Sequence, residues 1–366
     1  MRILFAGGGT GGHINPAISI ADYIRKKDKD FEGLFIGTQH GLETKLVPKA
    51  GYPIRYIDIC GFDRRRIWKN AEVLYKLAKS RQDCRKILRE FKPDAVVCTG
   101  GYVSGPVAMA AAKLHVPAII HEQNVYPGLT VRGSEKYVNY VAVSFAETIN
   151  HMKTPDKCVL TGNPIRAEIL KTDHAEARRK LGLSQKPFVL VFGGSLGAAK
   201  INETMIGVLQ KMNAEKKVQV LFGTGDRNYQ EIAQKLREQK IELNSEIQVV
   251  PYIDNMDVVM SAADLVVARS GAITVSEIAA LGKPSILIPS PNVVRNHQEQ
   301  NAREFEANGA AIVITEDTLS PKNLYTKIME MISDPTKLAK MGSNVKKLAK
   351  TDALDSIYQL VLKMIK

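Results

Sequence analysis

"LFAGGGTGGH", residues 4 to 13, sets five glycines and a histidine directly behind a short apolar run. Gly7, Gly9 and Gly12 satisfy the dinucleotide pattern G-x-G-x-x-G, where a first strand would turn into a first helix. A nicotinamide site also needs an acidic residue closing the second strand, about 20 residues on, to hold the ribose. That strand reads "EGLFIGTQH" and ends on Gly37-Thr38, while Asp28 and Asp30 precede it. A dehydrogenase is therefore the poorest reading. Two others stay open: a cradle for another phosphate, built from glycines and a helix N-terminus, or a plain tight turn with His13 opening the helix.

Outward from this loop, short apolar runs alternate with helix-length amphipathic stretches, the pattern of parallel α/β construction. "RILFA", "EGLFIG", "DAVVCTG", "PAIIHE" and "YVAVSF" read as buried strands in the first half. "FVLVFGGS", "VQVLFGTG", "IQVVPYI", "DLVVARS", "PSILIP" and "AAIVIT" restart the pattern in the second. Each half opens on a strand feeding a glycine turn, the second being "VLVFGGSLGA". The expected architecture is two doubly wound, Rossmann-like α/β domains facing across a cleft. The join falls near "LTGNPIRAE", where Gly162 and Pro164 break regular structure. The expected division is residues 1–162, residues 163–340, and a segment 341–366 returning to the first domain. Its last helix carries Leu354, Ile357, Leu360, Val361 and Ile365 along one side.

The 366 residues suffice for two cores, and 45% hydrophobic with 24% charged residues is ordinary globular composition. Cys60, Cys84, Cys98 and Cys158 are scattered without metal-ligand spacing and read as free thiols of a reducing compartment. "MRILFAG" is too short for a signal peptide, and the apolar window "GPVAMAAAKLHVPAIIH" is broken by Lys113, His115 and two prolines. The net charge of +13 is uneven: residues 61–92 alone hold 11 basic and 4 acidic side chains. Such a local excess points to one anionic partner.

In the second half, "RSGAITVSE" (269–277) follows the strand "DLVVA", at the end where open α/β sheets bind ligands. Arg269, Ser270 and Gly271 lead into a helix that Ser270 or Thr274 is placed to cap, offering backbone N–H groups to a diphosphate. Glu277 has two readings: acceptor for vicinal ribose hydroxyls, or a first-turn acid complementing the helix dipole. Gln298 and Gln300 suit sugar hydroxyls, or form a polar loop. The sole D-x-D, Asp28-Lys29-Asp30, lies in a charged turn, so no metal is expected and diphosphate departure falls to helix ends and side-chain donors.

"GGTGGH" (8–13), "GGYVSGP" (100–106), "HEQN" (121–124), "GNPIR" (162–166), "GGSLGA" (193–198), "RSGAITVSE" and "NHQ" (296–298) occur in that order. Together they resemble the peptidoglycan glycosyltransferases that add N-acetylglucosamine to undecaprenyl-diphospho-muramoyl-pentapeptide, making lipid II from lipid I. The resemblance spans nearly the whole chain. It implies the two-domain GT-B architecture and metal-independent transfer from UDP-N-acetylglucosamine, with inversion, to the muramoyl C4 hydroxyl. It makes Glu277 the ribose acid and Ile253 a backbone partner for uracil, sets Ser195 and Arg166 near the UDP, and puts Ala272 and Gln298 at the donor sugar. Thr10, Gly11, Gly12, Asn124, Arg269 and Thr274 join the donor contacts. Thr10, His13, Tyr102, Glu122 and Asn124 line the acceptor side of residues 1–162. Imidazole titrates near neutrality, so His13 is the candidate base, or else a donor to the acceptor diphosphate. The chain departs from the family at Leu196, where Gln is usual, and at Val131-Arg132, where Asn-Arg is.

The basic stretch then gains a reading. Arg64, Arg65, Arg66, Ile67, Trp68 and Lys69 mix cations with the chain's one tryptophan, as a loop touching an anionic membrane surface does. The helix after it, from about 72 to 91, is expected to pack its apolar stripe on the sheet. Nucleic acid is a poor partner, since no recognition motif accompanies the patch. The expectation is a peripheral enzyme on the cytoplasmic face of a bacterial membrane. The alternatives are a UDP-N-acetylglucosamine 2-epimerase and a non-catalytic nucleotide-sugar-binding protein.

Overall fold

Each of the eleven apolar runs forms a strand, and among the described residues two short strands join them. The structure, a computed structural model, describes residues 1–60, 70–194 and 197–366. In the first half the strands are β1 (Arg2–Ala6), β2 (Glu32–Gly37), β3 (Ile54–Tyr56), β4 (Ala95–Cys98), β5 (Ala118–Glu122), β6 (Tyr140–Val143) and β7 (Cys158–Leu160). They form one parallel sheet of order β3-β2-β1-β4-β5-β6-β7. The second half holds β8 (Phe188–Phe192), β9 (Gln219–Gly223), β10 (Ile247–Val250), β11 (Leu265–Ala268), β12 (Ser285–Leu287) and β13 (Ile312–Val313). These give a parallel sheet of order β10-β9-β8-β11-β12-β13.

Both orders reverse beside their first strand, and that reversal positions the candidate site. In the first sheet β1 lies against β4, and in the second β8 lies against β11. Loops leaving adjacent strands in opposite directions open a crevice at the strands' carboxyl ends. "GGGTGGH" leaves β1 and "TGGYVSGP" leaves β4, while the second glycine turn leaves β8 and "RSGAITVSE" leaves β11. The motifs of each half therefore converge on a switch point.

The first sheet is covered on both faces, as a parallel sheet requires. In β1, Leu4 and Ala6 enter one core while Ile3 and Phe5 enter the other. Helix Gly11–Lys27 places Ile14, Ala17, Ile20, Ala21 and Ile24 at helical spacing into the second of these. Burying each isoleucine contributes about 2 kcal/mol. Helix Asn70–Phe91 buries Cys84 and Leu88, with Leu77 and Phe91 packed beside them, so its described part has the expected core stripe.

The chain divides into a unit of Met1–Ile165 with Lys350–Lys366, and a unit of Arg166–Ala349. Helix Pro335–Lys347 belongs to the second unit, so the returning segment starts at Lys350 rather than at 341. In helix Ala353–Ile365, Ile357 and Val361 are fully buried in the first unit's core, and Tyr23 donates to Asp355 at 2.8 Å. Ile365 departs from the expected stripe and is exposed.

Candidate active site

The glycine loops after β1 and β4 interlock, and only glycine fits there. Gly100 and Gly101 have φ of +101° and +73°. A Cβ on Gly101 would lie 2.3 Å from the Gly8 carbonyl oxygen, and one on Gly100 would lie 2.7 Å from Nδ1 of His13. His13 is thereby held against the second loop, its Nδ1 3.1 Å from the Thr99 carbonyl oxygen and 3.2 Å from Oε1 of Gln123. No side chain caps helix Gly11–Lys27 at Thr10, and its first turn has no acid. Thr10 and Gly12 are exposed at the start of that turn, while the His13 N–H turns back to the Thr10 carbonyl at 3.1 Å.

Sequence reasoning missed the carboxylate beneath this loop. Glu43, fully buried, accepts from Gly9 N–H at 3.1 Å, from Thr38 N–H at 2.9 Å and from the Thr38 hydroxyl at 2.8 Å. Its one visible signal is an acid at the start of a helix after β2. Glu43→Ala strands three donors, two of them buried, and is expected to destabilise the chain by about 3 kcal/mol, read as a lowered urea midpoint.

Also missed were His121 and Gln123 of "HEQN". His121 is buried, with Nε2 2.9 Å from the Gly162 carbonyl, and burial lowers its pKa to about 4. Between pH 6.5 and 4 the unfolded chain therefore takes up a proton that the folded ring refuses. Stability from this group is complete above about 6.5 and falls by about 3 kcal/mol toward pH 4. Denaturation curves of wild type and His121→Gln are expected to converge on acidification.

Glu122 takes a different place from a ligand contact. It is 2% exposed, and its oxygens accept from Asn124 N–H at 2.9 Å, Asn124 Nδ2 at 3.2 Å and Gly128 N–H at 2.7 Å. Burial raises its pKa against these donors. The carboxylate ties down the loop carrying Asn124, which corrects its expected acceptor contact. Tyr102 is half-buried against the first core, with its ring beside Gly9.

In the second unit, helix Ala272–Leu281 starts at Gly271, with no side-chain cap and no acid in its first turn. Ser270 does not cap it: the hydroxyl is buried and donates to the Gln298 carbonyl at 2.7 Å. Thr274 makes no cap either, and Ala272 is half-buried at the helix start. Glu277 lies beyond the first turn, 5% exposed, with Oε1 3.1 Å from Nε of Arg166. The dipole-complementing reading of Glu277 therefore fails. Burial raises its pKa, and the Arg166 guanidinium opposes that rise. The buried carboxylate has a cation beside it.

Arg269 is corrected in role. Its Nη1 donates to the Ile288 and Pro289 carbonyls at 3.1 and 3.0 Å, and Nη2 pairs with Glu316. A guanidinium so engaged clamps the segment after β12. Gln298 accepts from Ser290 N–H through Oε1 at 2.9 Å, which fixes that oxygen on the loop after β12. Ile253 is buried beside Gly223 at the end of β9. Ser195, Leu196 and the patch Arg64, Arg65, Arg66, Ile67, Trp68 and Lys69 lie outside the described residues. Among the described residues, no group of three or more His, Cys, Asp or Glu is arranged to hold a metal ion.

Two sequence families now bear on this geometry. The glycosyltransferase family 28 N-terminal domain matches residues 3–143, and its C-terminal domain matches residues 188–357. The chain belongs to glycosyltransferase family 28. Its full-length relatives include the UDP-N-acetylglucosamine–N-acetylmuramyl-(pentapeptide) pyrophosphoryl-undecaprenol N-acetylglucosamine transferase of Caldanaerobacter subterraneus, 48% identical over 99% of both chains. The Bacillus cereus protein of that name, numbered 1, is 41% identical over 100% of both. A crystal structure of Acinetobacter baumannii MurG matches 99% of both chains with TM-score 0.81 and 26% identity. The UDP-GlcNAc 2-epimerase of Neisseria meningitidis, bound to UDP-GlcNAc, has TM-score 0.69 over 99% of this chain and 100% of its own, at 15% identity. That likeness extends to the fold alone. The family 28 enzyme is thus built from two parallel α/β domains, and its motifs occupy the switch point of each.

Proposed function

We propose that this family 28 glycosyltransferase moves N-acetylglucosamine from UDP-N-acetylglucosamine to the C4 hydroxyl of undecaprenyl-diphospho-N-acetylmuramoyl-pentapeptide, with inversion. Full-length identity of 41–48% to bacterial transferases named for that reaction carries the reading. The reading assigns the parts as follows. In the second unit Glu277 accepts the two ribose hydroxyls, the open N-terminus of helix Ala272–Leu281 faces the diphosphate, and Gln298 donates to the sugar. In the first unit His13 takes the proton of the attacking hydroxyl. The new bond forms from that oxygen to the anomeric carbon as the bond to UDP breaks, and helix N–H groups stabilise the departing diphosphate. The proposed mechanism needs no metal, since in this reading helix N–H groups take up the phosphate charge as it develops.

Among the described residues, no helix is long and apolar enough to cross a membrane. The polyprenyl acceptor is lipid-borne, so the reading places the enzyme peripherally on the cytoplasmic face of the membrane. There the patch of residues 64–69 would meet anionic lipid.

The test is transfer of labelled N-acetylglucosamine to a lipid I analogue, with chelator and with an acceptor-free control. Acceptor-dependent label in lipid, unchanged by chelator, is expected. UDP release or sugar rearrangement without acceptor makes the protein an epimerase. Tight donor binding without turnover makes it a binding protein.

A further inference from the structure

Gln123 lies between two histidines, and carbonyl groups decide where each proton among them sits. A carbonyl only accepts. Gly162 O lies 2.9 Å from Nε2 of His121, so that nitrogen carries the hydrogen. The neutral ring then offers the lone pair of Nδ1 to Nε2 of Gln123, 3.0 Å away. Gln123 Nε2 also donates to the Thr99 carbonyl at 2.8 Å, which fixes the amide's orientation and turns Oε1 toward His13. Nδ1 of His13 thus faces two acceptors, Oε1 of Gln123 at 3.2 Å and the Thr99 carbonyl at 3.1 Å. It must donate, which puts the lone pair of the neutral ring on Nε2.

We propose that Gln123 and His121 are positioning residues for His13: through this chain they hold its ring as the Nδ1–H tautomer and present Nε2 as the proton acceptor. The proposal rests on His13 being the base. An orienting partner behind a catalytic imidazole does the same in other folds, by fixing tautomer and ring angle. The surroundings are built for one arrangement. Gln123 is 2% exposed, and its own carbonyl accepts from Asn163 Nδ2 at 3.0 Å. Ser144 gives its hydroxyl hydrogen to the Glu122 carbonyl at 2.7 Å and so faces His121 Nε2, 3.3 Å away, as a second acceptor. Burial keeps His121 neutral throughout the pH range in which His13 would work, so the chain does not reverse. Gly162 and Asn163, which anchor its far end, lie just before the boundary at Ile165, with Gly162 against Lys350.

The test labels the histidines of the full chain with ¹⁵N and reads, from long-range ¹⁵N–¹H correlations, which ring nitrogen of His13 is protonated. His13→Ala assigns the signal. Wild type is expected to show Nδ1–H for His13 and Nε2–H for His121. Gln123→Met keeps the size but neither acceptor nor donor. It is expected to admit the Nε2–H form of His13 and lower kcat about 10- to 100-fold, with donor KM nearly unchanged, because Thr99 still holds part of the population. Gln123→Glu keeps an acceptor toward His13 and, as the protonated acid that burial favours, one donor toward the Thr99 carbonyl, so it should hold the Nδ1–H form and recover part of kcat. If Gln123→Met fails to fold, the Glu variant carries the comparison. A wild-type His13 protonated on Nε2 overturns the proposal. So does loss of kcat in Gln123→Met with the tautomer unchanged, which would leave Gln123 a packing role. The spectra need no turnover: near-normal kcat in His13→Ala would remove the base reading while the proton positions are still read directly.

Discussion

His13→Ala is expected to lower kcat by about 10²- to 10⁴-fold while donor KM stays within about twofold, the range that a positioned general base supplies. The side chain is placed by two loops that only glycine permits, with Nδ1 held by Thr99 and Gln123. Removing the ring leaves the hydroxyl without a proton acceptor but leaves the second unit's donor contacts alone. His13→Asn separates the two roles this residue can play. An amide still donates a hydrogen bond but takes no proton at neutral pH, so a base is lost in both variants. A donor to the acceptor diphosphate would survive in the Asn variant, with acceptor KM, not kcat, carrying the effect in Ala. Steady-state kinetics with donor and acceptor varied separately decide this. A kcat within twofold of wild type in both variants removes His13 from the chemistry.

The strands and switch-point loops were legible because their signals are local. An apolar run of four to six residues followed by glycine reads as a buried strand entering a tight turn without knowledge of its neighbours. β3 and β7 carried no such signal: each has three residues, at a sheet edge, half-buried or exposed. Hydropathy cannot mark a strand held mainly by backbone pairing. The site was legible in residue type and less so in role. His13, Glu277, Gln298 and Arg166 could be placed at strand ends and helix starts. What each side chain bonds depends on partners far away in sequence, as with Gln123, 110 residues from His13, or Arg166, 111 residues from Glu277. Arg269 shows the cost of that blindness. Expected among the donor contacts from its place at a strand end, it is engaged by Glu316, 47 residues on. Glu122 and Glu43 were obscured for the same reason, since the N–H groups they satisfy belong to loops whose course only the fold defines.

Glu277→Ala is expected to reduce kcat/KM for the donor about 100-fold, mostly through KM. Two hydrogen bonds from ribose hydroxyls to a carboxylate are each worth about 1.5–3 kcal/mol, and part of that is recovered by water entering the space. The pH dependence probes the pair more closely. Burial raises the Glu277 carboxyl and Arg166 pulls it back, the net displacement being upward. Only the ionised form accepts both hydroxyls, so donor affinity is present above this raised pKa and is lost as pH falls through it. That loss should set in at a higher pH than for an ordinary glutamate. Arg166→Met removes the opposing cation, which lifts the carboxyl further and moves the loss of affinity upward again. Glu277→Gln, which cannot titrate, should bind UDP weakly at every pH. Calorimetric titration with UDP from about pH 5 to 8.5 distinguishes the possibilities. If Arg166→Met is weakened equally at all pH values, the guanidinium works by touching the donor. If its affinity approaches wild type at the alkaline end and drops away earlier on acidification, Arg166 works by keeping Glu277 charged.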